Sequence, residues 1–443
     1  MTISASPAEG IHLNYWQQWE YFSKPRETAA WLHARLGNLA SVHFQGQSYT
    51  LVITPEGARQ VFAANPNGYL PFWGESFAGL HGEGSLWVLS GEEHRREREV
   101  FVPAFHARQV RSQAEIIRAI VREHTERWQP GQAIRAMDTT LGISQDVIMR
   151  VVFGVEDADL IRTGRIVLTE MIHHAHPFIV FFPRLQRPWF PMWQKYVRAR
   201  ARFNEWAMRL VTLRRARNDP GGDVLGRLLT ADHVNGHPVS DEHICNELLS
   251  ILGAGHNTTR VGLAWAIYEL SRHPEVVAKL RVELDQANAA ENPEAVFTLP
   301  YLAAVCSETL RLHTIVPECA RIPTKPMEIT GHIIPAGQAL LVSIVGIHHD
   351  PELYPEPDEF IPERFIERNY SNFEFLPFGG GHRRCLGAVL GEYEMRSAVA
   401  EMALGWDFEP AKLEGEVRHN LAMGPKFGVR LRIKGRRQNQ TST

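Results

Sequence analysis

Two short alternations of apolar and polar residues, Ser41 to Phe44 and Thr50 to Ile53, flank Gln45-Gly46-Gln47 and predict a β-hairpin early in the chain. From about Arg108 to Leu284 the spacing becomes mainly helical, broken by Pro- and Gly-rich stretches near 177–191 and 219–222. Within it, residues 240–273 read as one long helix: Ser240 is a fair N-cap, Asp241 and Glu242 suit the first turn, and Pro274 ends it. Strand-like runs return after about Met327, at 327–329, 332–334 and 339–344. A further helix follows Cys385, and Phe427 to Ile433 closes the chain as an alternating strand. The pattern predicts a mainly α protein with small sheets at its edges. No repeat or long polar linker interrupts it, so 1–443 reads as a single domain.

Composition narrows the classes. The 443 residues carry 47 Lys+Arg against 50 Asp+Glu, and 44% are apolar, which is ordinary for a soluble globular chain and excludes a disordered or fibrous one. A formal charge of −3 offers no broad basic field for nucleic acid. The four cysteines, Cys245, Cys306, Cys319 and Cys385, form no CxxC pair, which argues against a disulfide framework or structural zinc and suits a reducing cytoplasm. The N-terminus has no basic n-region, and the apolar run Phe178 to Phe182 is far too short to span a bilayer. Neither a secretory signal nor a transmembrane anchor is expected.

Candidate chemistry concentrates at Phe375 to Gly387, PheLeuProPheGlyGlyGlyHisArgArgCysLeuGly. Three glycines, Gly379 to Gly381, let a backbone turn with φ > 0 and approach something flat. Cys385 then stands at the start of a helix, where unpaired N–H groups and the dipole favour thiolate, and Arg383 and Arg384 add positive charge. Such a thiolate suits the axial position of haem iron. A buried structural cysteine after a Gly-rich turn is the alternative. The spacing of Phe378, Gly381, Arg383, Cys385 and Gly387 speaks for the first: it resembles the haem-binding loop of the cytochrome P450 monooxygenases, Phe-x-x-Gly-x-Arg-x-Cys-x-Gly, at every fixed position.

Three further segments extend the resemblance, in the family's order. Glu308 and Arg311 lie i,i+3 on one helix face; with Arg364 of Pro362-Glu363-Arg364-Phe365 they are similar to the family's Glu-x-x-Arg/Arg triad, which implies a buried structural network behind the cysteine loop. In the long helix, Gly253 and Gly255 each cost about 1 kcal/mol relative to alanine, and small residues there let a flat ligand lie against the backbone or another helix cross closely. Thr258 can turn its hydroxyl to the Ala254 carbonyl, four residues back. The segment Leu252 to Thr259 resembles the family's oxygen-binding helix, which implies that Thr258 stands beside dioxygen. Asn257 occupies the position where the family has Asp or Glu, and an amide cannot relay a proton as a carboxylate can. His94 and Arg98, i,i+4 in a charged run, match the pair that binds haem propionates; Arg321 and Arg383 match two further propionate arginines.

The resemblance implies a cytochrome P450 fold, a helical core with small antiparallel sheets, holding haem b on Cys385 with dioxygen as co-substrate. It implies contacts of the haem with His94, Arg98, Ala254, Arg321, Phe378, Gly379, Arg383 and Gly387, and a catalytic role for Thr258 and Asn257. Ala254, Val316, Ala320 and Met423 are expected around the substrate; they are small or apolar, which favours an apolar or amphipathic small molecule. Glu318 beside them is expected in a polar network or against a cationic group. Electrons from NAD(P)H are expected through a separate ferredoxin and its reductase, docking on the Arg383/Arg384 side of a cytoplasmic monomer. A peroxide-using or isomerising haem-thiolate enzyme and a non-catalytic haem sensor remain as alternatives; retention of Thr258 speaks against the sensor. The aromatic run 178–193 suits either core or the roof of a substrate cavity. His173, His174 and His176 lack an acid or Cys at ligand spacing.

Overall fold

The computed structural model describes residues 10–44, 47–72, 74–217, 221–231, 239–419 and 421–437. The early hairpin forms as its alternation predicts: Leu39–Phe44 pairs antiparallel with Gln47–Val52, the turn between them lying outside the described residues. It belongs to a six-stranded sheet ordered Ile11–His12, Leu39–Phe44, Gln47–Val52, Ala339–Ser343, Glu318–Pro323, Tyr69–Leu70. This sheet corrects the expectation of antiparallel pairing throughout. Ile11–His12 runs parallel to Leu39–Phe44, and Gln47–Val52 runs parallel to Ala339–Ser343. Parallel neighbours need a long crossover. Helices Tyr15–Ser23 and Pro25–Leu36 supply the first, and most of the helical body supplies the second. The smaller sheets are antiparallel: Trp406–Phe408 with Arg430–Arg436 and Ala133–Arg135, Glu416–His419 with Ala422–Pro425, and Met327–Ile329 with His332–Ile334. The closing strand starts at Arg430, three residues later than its alternation suggests, because Gly428 and Val429 turn with φ of 78° and 56°.

The predicted long helix spans Asp241–Arg272. The Ser240 hydroxyl caps it, accepting from the His243 N–H at 3.1 Å. It packs along Ala136–Val147, along Ala388–Gly405 and against the strand Ala422–Pro425. Leu248, Leu252, Val261 and Trp265 are among the side chains this packing buries. The helix Ala136–Val147 continues into a π-helical turn, Ile148–Val152. A helix at the centre of three packed neighbours should bury its whole middle, and this one does not at Gly253 and Ala254, which stay open. Among the described residues, no helix is long and apolar enough to cross a membrane.

Candidate active site

Cys385 sits three residues before the start of the helix Ala388–Gly405, on a loop shaped by its glycines. Gly379 and Gly381 have φ of 64° and 68°, and a Cβ on either would come within 2.9 Å of the Cys319 sulfur or 2.4 Å of the Phe62 carbonyl oxygen. No other residue fits those two positions. The Cys385 N–H donates to the Phe378 carbonyl at 2.9 Å, and the Phe378 ring lies under the Arg384 guanidinium. The sulfur receives the Gly387 N–H. Cys385 is accessible to solvent, yet protein surrounds it closely enough that burial pushes its pKa up. The Gly387 N–H and the Arg384 and Arg98 charges oppose that rise without cancelling it. The helix start and the arginines therefore do not suffice to make a thiolate, as the sequence suggested; a coordinated metal ion deprotonates a thiol outright.

Around this thiol the fold gathers His94, Arg98, Arg321 and Arg383 from three separate regions. Arg98 donates to the Arg384 carbonyl at 2.8 Å, Arg321 to the Gly380 carbonyl at 3.2 Å, and Arg383 to the Leu89 carbonyl. Among the described residues, none of the three arginines meets a carboxylate. Burial, then the charges of Arg321 and Arg98, pull the Arg383 pKa down to about 10. Burial and the neighbouring Arg383, His382, Arg98 and Arg321 hold His94 down at about 3, so its imidazole is neutral. Elsewhere, a cavity of about 750 Å³ is also rich in arginine, but there Arg150, Arg165, Arg214 and Arg217 each hold a Glu or Asp. Among the described residues the cluster around Cys385 is different in kind: its positive charge is buried at Arg321 and half-buried at Arg98 and Arg383, mutually repelling and met by no carboxylate. A planar ligand with two carboxylates and a metal that takes thiolate fits it, because the carboxylates supply the missing charge. Haem has that chemistry, and the residues present fit it.

The long helix contributes the other face. Thr258 Oγ1 donates to the Ala254 carbonyl at 2.8 Å, as its position predicts. A Cβ on Gly253 would sit 3.1 Å from the His81 ring, so that glycine admits a close neighbour; one on Gly255 would make only ordinary contact with Ile148. Asn257 is committed elsewhere: its side-chain amide donates to the His419 carbonyl at 3.0 Å, tying the helix to the hairpin Glu416–Pro425. His256 points away from Ala254, its Nδ1 3.1 Å from the Ser144 hydroxyl. Val316 and Ala320 are half-buried, whereas Met423 is closed off, its N–H bonded to the Ile315 carbonyl at 2.7 Å. Glu318 turns to the Tyr21 hydroxyl, with Arg418 close by; burial nevertheless raises its pKa. Arg383 faces inward, leaving Arg384 as the exposed one of the pair. In the aromatic run, Ile179 and Val180 are buried while Phe178, Phe182 and Trp189 are exposed, so it is core and surface at once. His176 caps a short helix, Pro177–Phe181.

Behind the loop lies the expected ion network. Arg311 grips Glu308 through two hydrogen bonds, at 2.7 and 2.8 Å, and Arg364 reaches the same carboxylate at 3.0 Å; all three are buried. Arg311 also donates to the carbonyls of His348, Pro357 and Glu359. His348 is the member that sequence reasoning missed. Its Nε2 accepts the Leu376 N–H at 2.9 Å, at the start of the cysteine loop. Burial holds its pKa well below the usual imidazole value, so the ring stays a neutral acceptor. Nothing in the local run Ile347-His348-His349-Asp350 signals that role.

An accessible thiol on a glycine-shaped loop, arginines that meet no carboxylate among the described residues and an exposed stretch of the long helix fit a haem-thiolate centre as the class of site. The family model for cytochrome P450 matches residues 7–428. A Mycobacterium tuberculosis protein named as cytochrome P450 135A1 is 32% identical over 417 residues, covering 91% of this chain and 89% of that one. A Mycobacterium bovis protein named as cytochrome P450 138 is 30% identical, covering 87% and 86%. Among solved structures, a retinoic acid-bound cyanobacterial CYP120A1 superposes with a TM-score of 0.83 at 23% identity, over 97% of this chain and 98% of that one. The heme domain of cytochrome P450DA gives 0.82, also at 23% identity, over 99% of both chains. The chain belongs to the cytochrome P450 family, whose members are haem-dependent oxidoreductases of the monooxygenase type.

Proposed function

We propose that this chain, acting as one domain in the cytoplasm, inserts one oxygen atom of dioxygen into an apolar or amphipathic small molecule. Haem b supplies the dioxygen chemistry when bound. In this reading the Cys385 sulfur would hold its iron. Arg98, Arg321 and Arg383 pair with its carboxylates, and neutral His94 donates a hydrogen bond to them. Phe378, Gly379 and Gly387 shape the sulfur side. Thr258 holds a hydroxyl at the opened stretch of the long helix, where it can place a proton. Ala254, Val316 and Ala320 line the substrate side, and Met423 backs it. Electrons come from a separate ferredoxin and its reductase, docking near the exposed Arg384. The observation that carries this reading is the arginine cluster around an accessible thiol, which meets no carboxylate among the described residues.

The test is turnover of the haem-loaded protein with a surrogate ferredoxin, its reductase and NADPH, compared with peroxide alone, after a small-molecule library has been screened for a substrate-induced Soret shift. Product in the first arm supports the reading. Product with peroxide only favours a peroxide-using enzyme, for which the commitment of Asn257 to His419, in place of a proton-carrying carboxylate, is the specific support.

A further inference from the structure

Away from the thiol, the helix Gly91–Phe101 and the long helix meet through three ionisable side chains. Glu97 comes from the first; His243 and Glu247, i,i+4 on one face, come from the second. Each offers one ligand atom, and these atoms lie within 4.8 Å of one another. Both glutamates are fully buried. Glu97 Oε1 meets His243 Nε2 at 3.0 Å, and Glu247 Oε1 accepts the Leu86 N–H at 2.7 Å. The second oxygen of each carboxylate is buried with no hydrogen-bond partner.

Two buried carboxylates with idle oxygens are costly unless a positive charge sits between them. Among the described residues, no Lys or Arg pairs with either, and the burial of Glu247 next to the Glu97 charge pushes its pKa well above the usual carboxylate range. Two carboxylates and one neutral imidazole balance a divalent cation in charge. One nitrogen with two carboxylate oxygens suits zinc better than calcium or magnesium, which prefer oxygen throughout. Zinc with ligands at about 2.0–2.2 Å places them about 3.3 Å apart. The His243–Glu97 edge, at 3.0 Å, is already near that value, and the other edges, within 4.8 Å, would close by up to about 1.5 Å. His243 is partly exposed, which leaves a way in and room for a water as fourth ligand.

We propose that Glu97, His243 and Glu247 form a zinc site that clamps the helix carrying His94 and Arg98 to the helix carrying Thr258. The site stands independently of the haem assignment. The test uses untagged, haem-loaded protein, stripped with a chelator and dialysed against Zn²⁺, with metal counted by mass spectrometry. The expected result is one zinc per chain. Glu247→Gln and His243→Ala should each weaken zinc binding by about tenfold or more, the scale on which even supporting residues act. Glu92→Gln, an exposed glutamate on the same helix, should leave it unchanged. The Gln variant keeps the side-chain shape and removes a repelling charge, so its Soret spectrum should report a folded protein. No zinc uptake by the wild type overturns the proposal, as does equal uptake by the Glu247 and His243 variants. Calcium held in place of zinc, indifferent to His243→Ala, also overturns it.

Discussion

The chain contains two collections of arginine that behave in opposite ways. Around Glu308, the two guanidiniums are satisfied entirely by one carboxylate and five backbone carbonyls. Around Cys385, Arg98, Arg321 and Arg383 repel one another and, among the described residues, their hydrogen bonds go to carbonyl oxygens and to no carboxylate. The first collection is complete as folded and serves the fold. The second is complete only with an anion that the chain does not supply, which is the mark of a binding site. Charge by itself does not separate the two; pairing does.

The largest expected effect falls on the satisfied collection. Glu308→Ala leaves two buried guanidiniums without their carboxylate and should cost about 3–5 kcal/mol, so that thermal unfolding and haem content both collapse. Recovery of a stable holoprotein would erase the distinction between the two regions. Cys385→Ser should instead abolish the strongly red-shifted Soret band of the reduced, carbon monoxide-bound protein, with far-UV circular dichroism intact, because serine is close to cysteine in size and can still accept the Gly387 N–H. A retained band would remove Cys385 as the ligand. Arg98→Ala should speed haem loss to an acceptor protein by about tenfold or more, the value of a charge-assisted hydrogen bond. It should leave the haem-free protein no less stable, since it relieves repulsion; a lowered Tm of that form would place Arg98 in the structural class. The smallest effect belongs to Asn257→Asp. It replaces a donor to the His419 carbonyl with a charge facing it and should cost about 1–3 kcal/mol by thermal unfolding. Product formed per NADPH should rise if the amide limits proton delivery; an unchanged ratio in folded protein would make Asn257 a tie between helix and hairpin alone.

Much of this contrast was legible before any coordinates. The Glu308/Arg311 spacing, Arg364, the cysteine loop and Thr258 carry local signatures, because each depends on helix periodicity or on glycines that a tight turn requires. The long helix was readable to its N-cap for the same reason. What escaped depends on contacts across the chain. His348 acts through a backbone carbonyl on one side and a ring nitrogen on the other, joining Arg311 to Leu376, and no short pattern encodes that. The parallel strand pairs escaped likewise, since alternation reports which face is buried and says nothing of a partner's direction. The commitment of Asn257 to His419 and the net rise in the Cys385 pKa follow from burial, which spacing does not measure.

One of those parallel pairs bears on how the protein is made. Tyr49 lies opposite Ala339 in the six-stranded sheet, about 290 residues away along the chain. Such a pairing closes a very long loop and belongs to the slow end of folding. On a ribosome adding about 5–20 residues per second, Gln47–Val52 waits roughly 15–60 s for its neighbour to be synthesised. During that interval its outer edge is an unpaired row of backbone donors and acceptors, the kind of template that recruits wrong partners. Expression yield of this chain should therefore respond to translation speed between residues 52 and 339, a property of its connectivity rather than of its haem site.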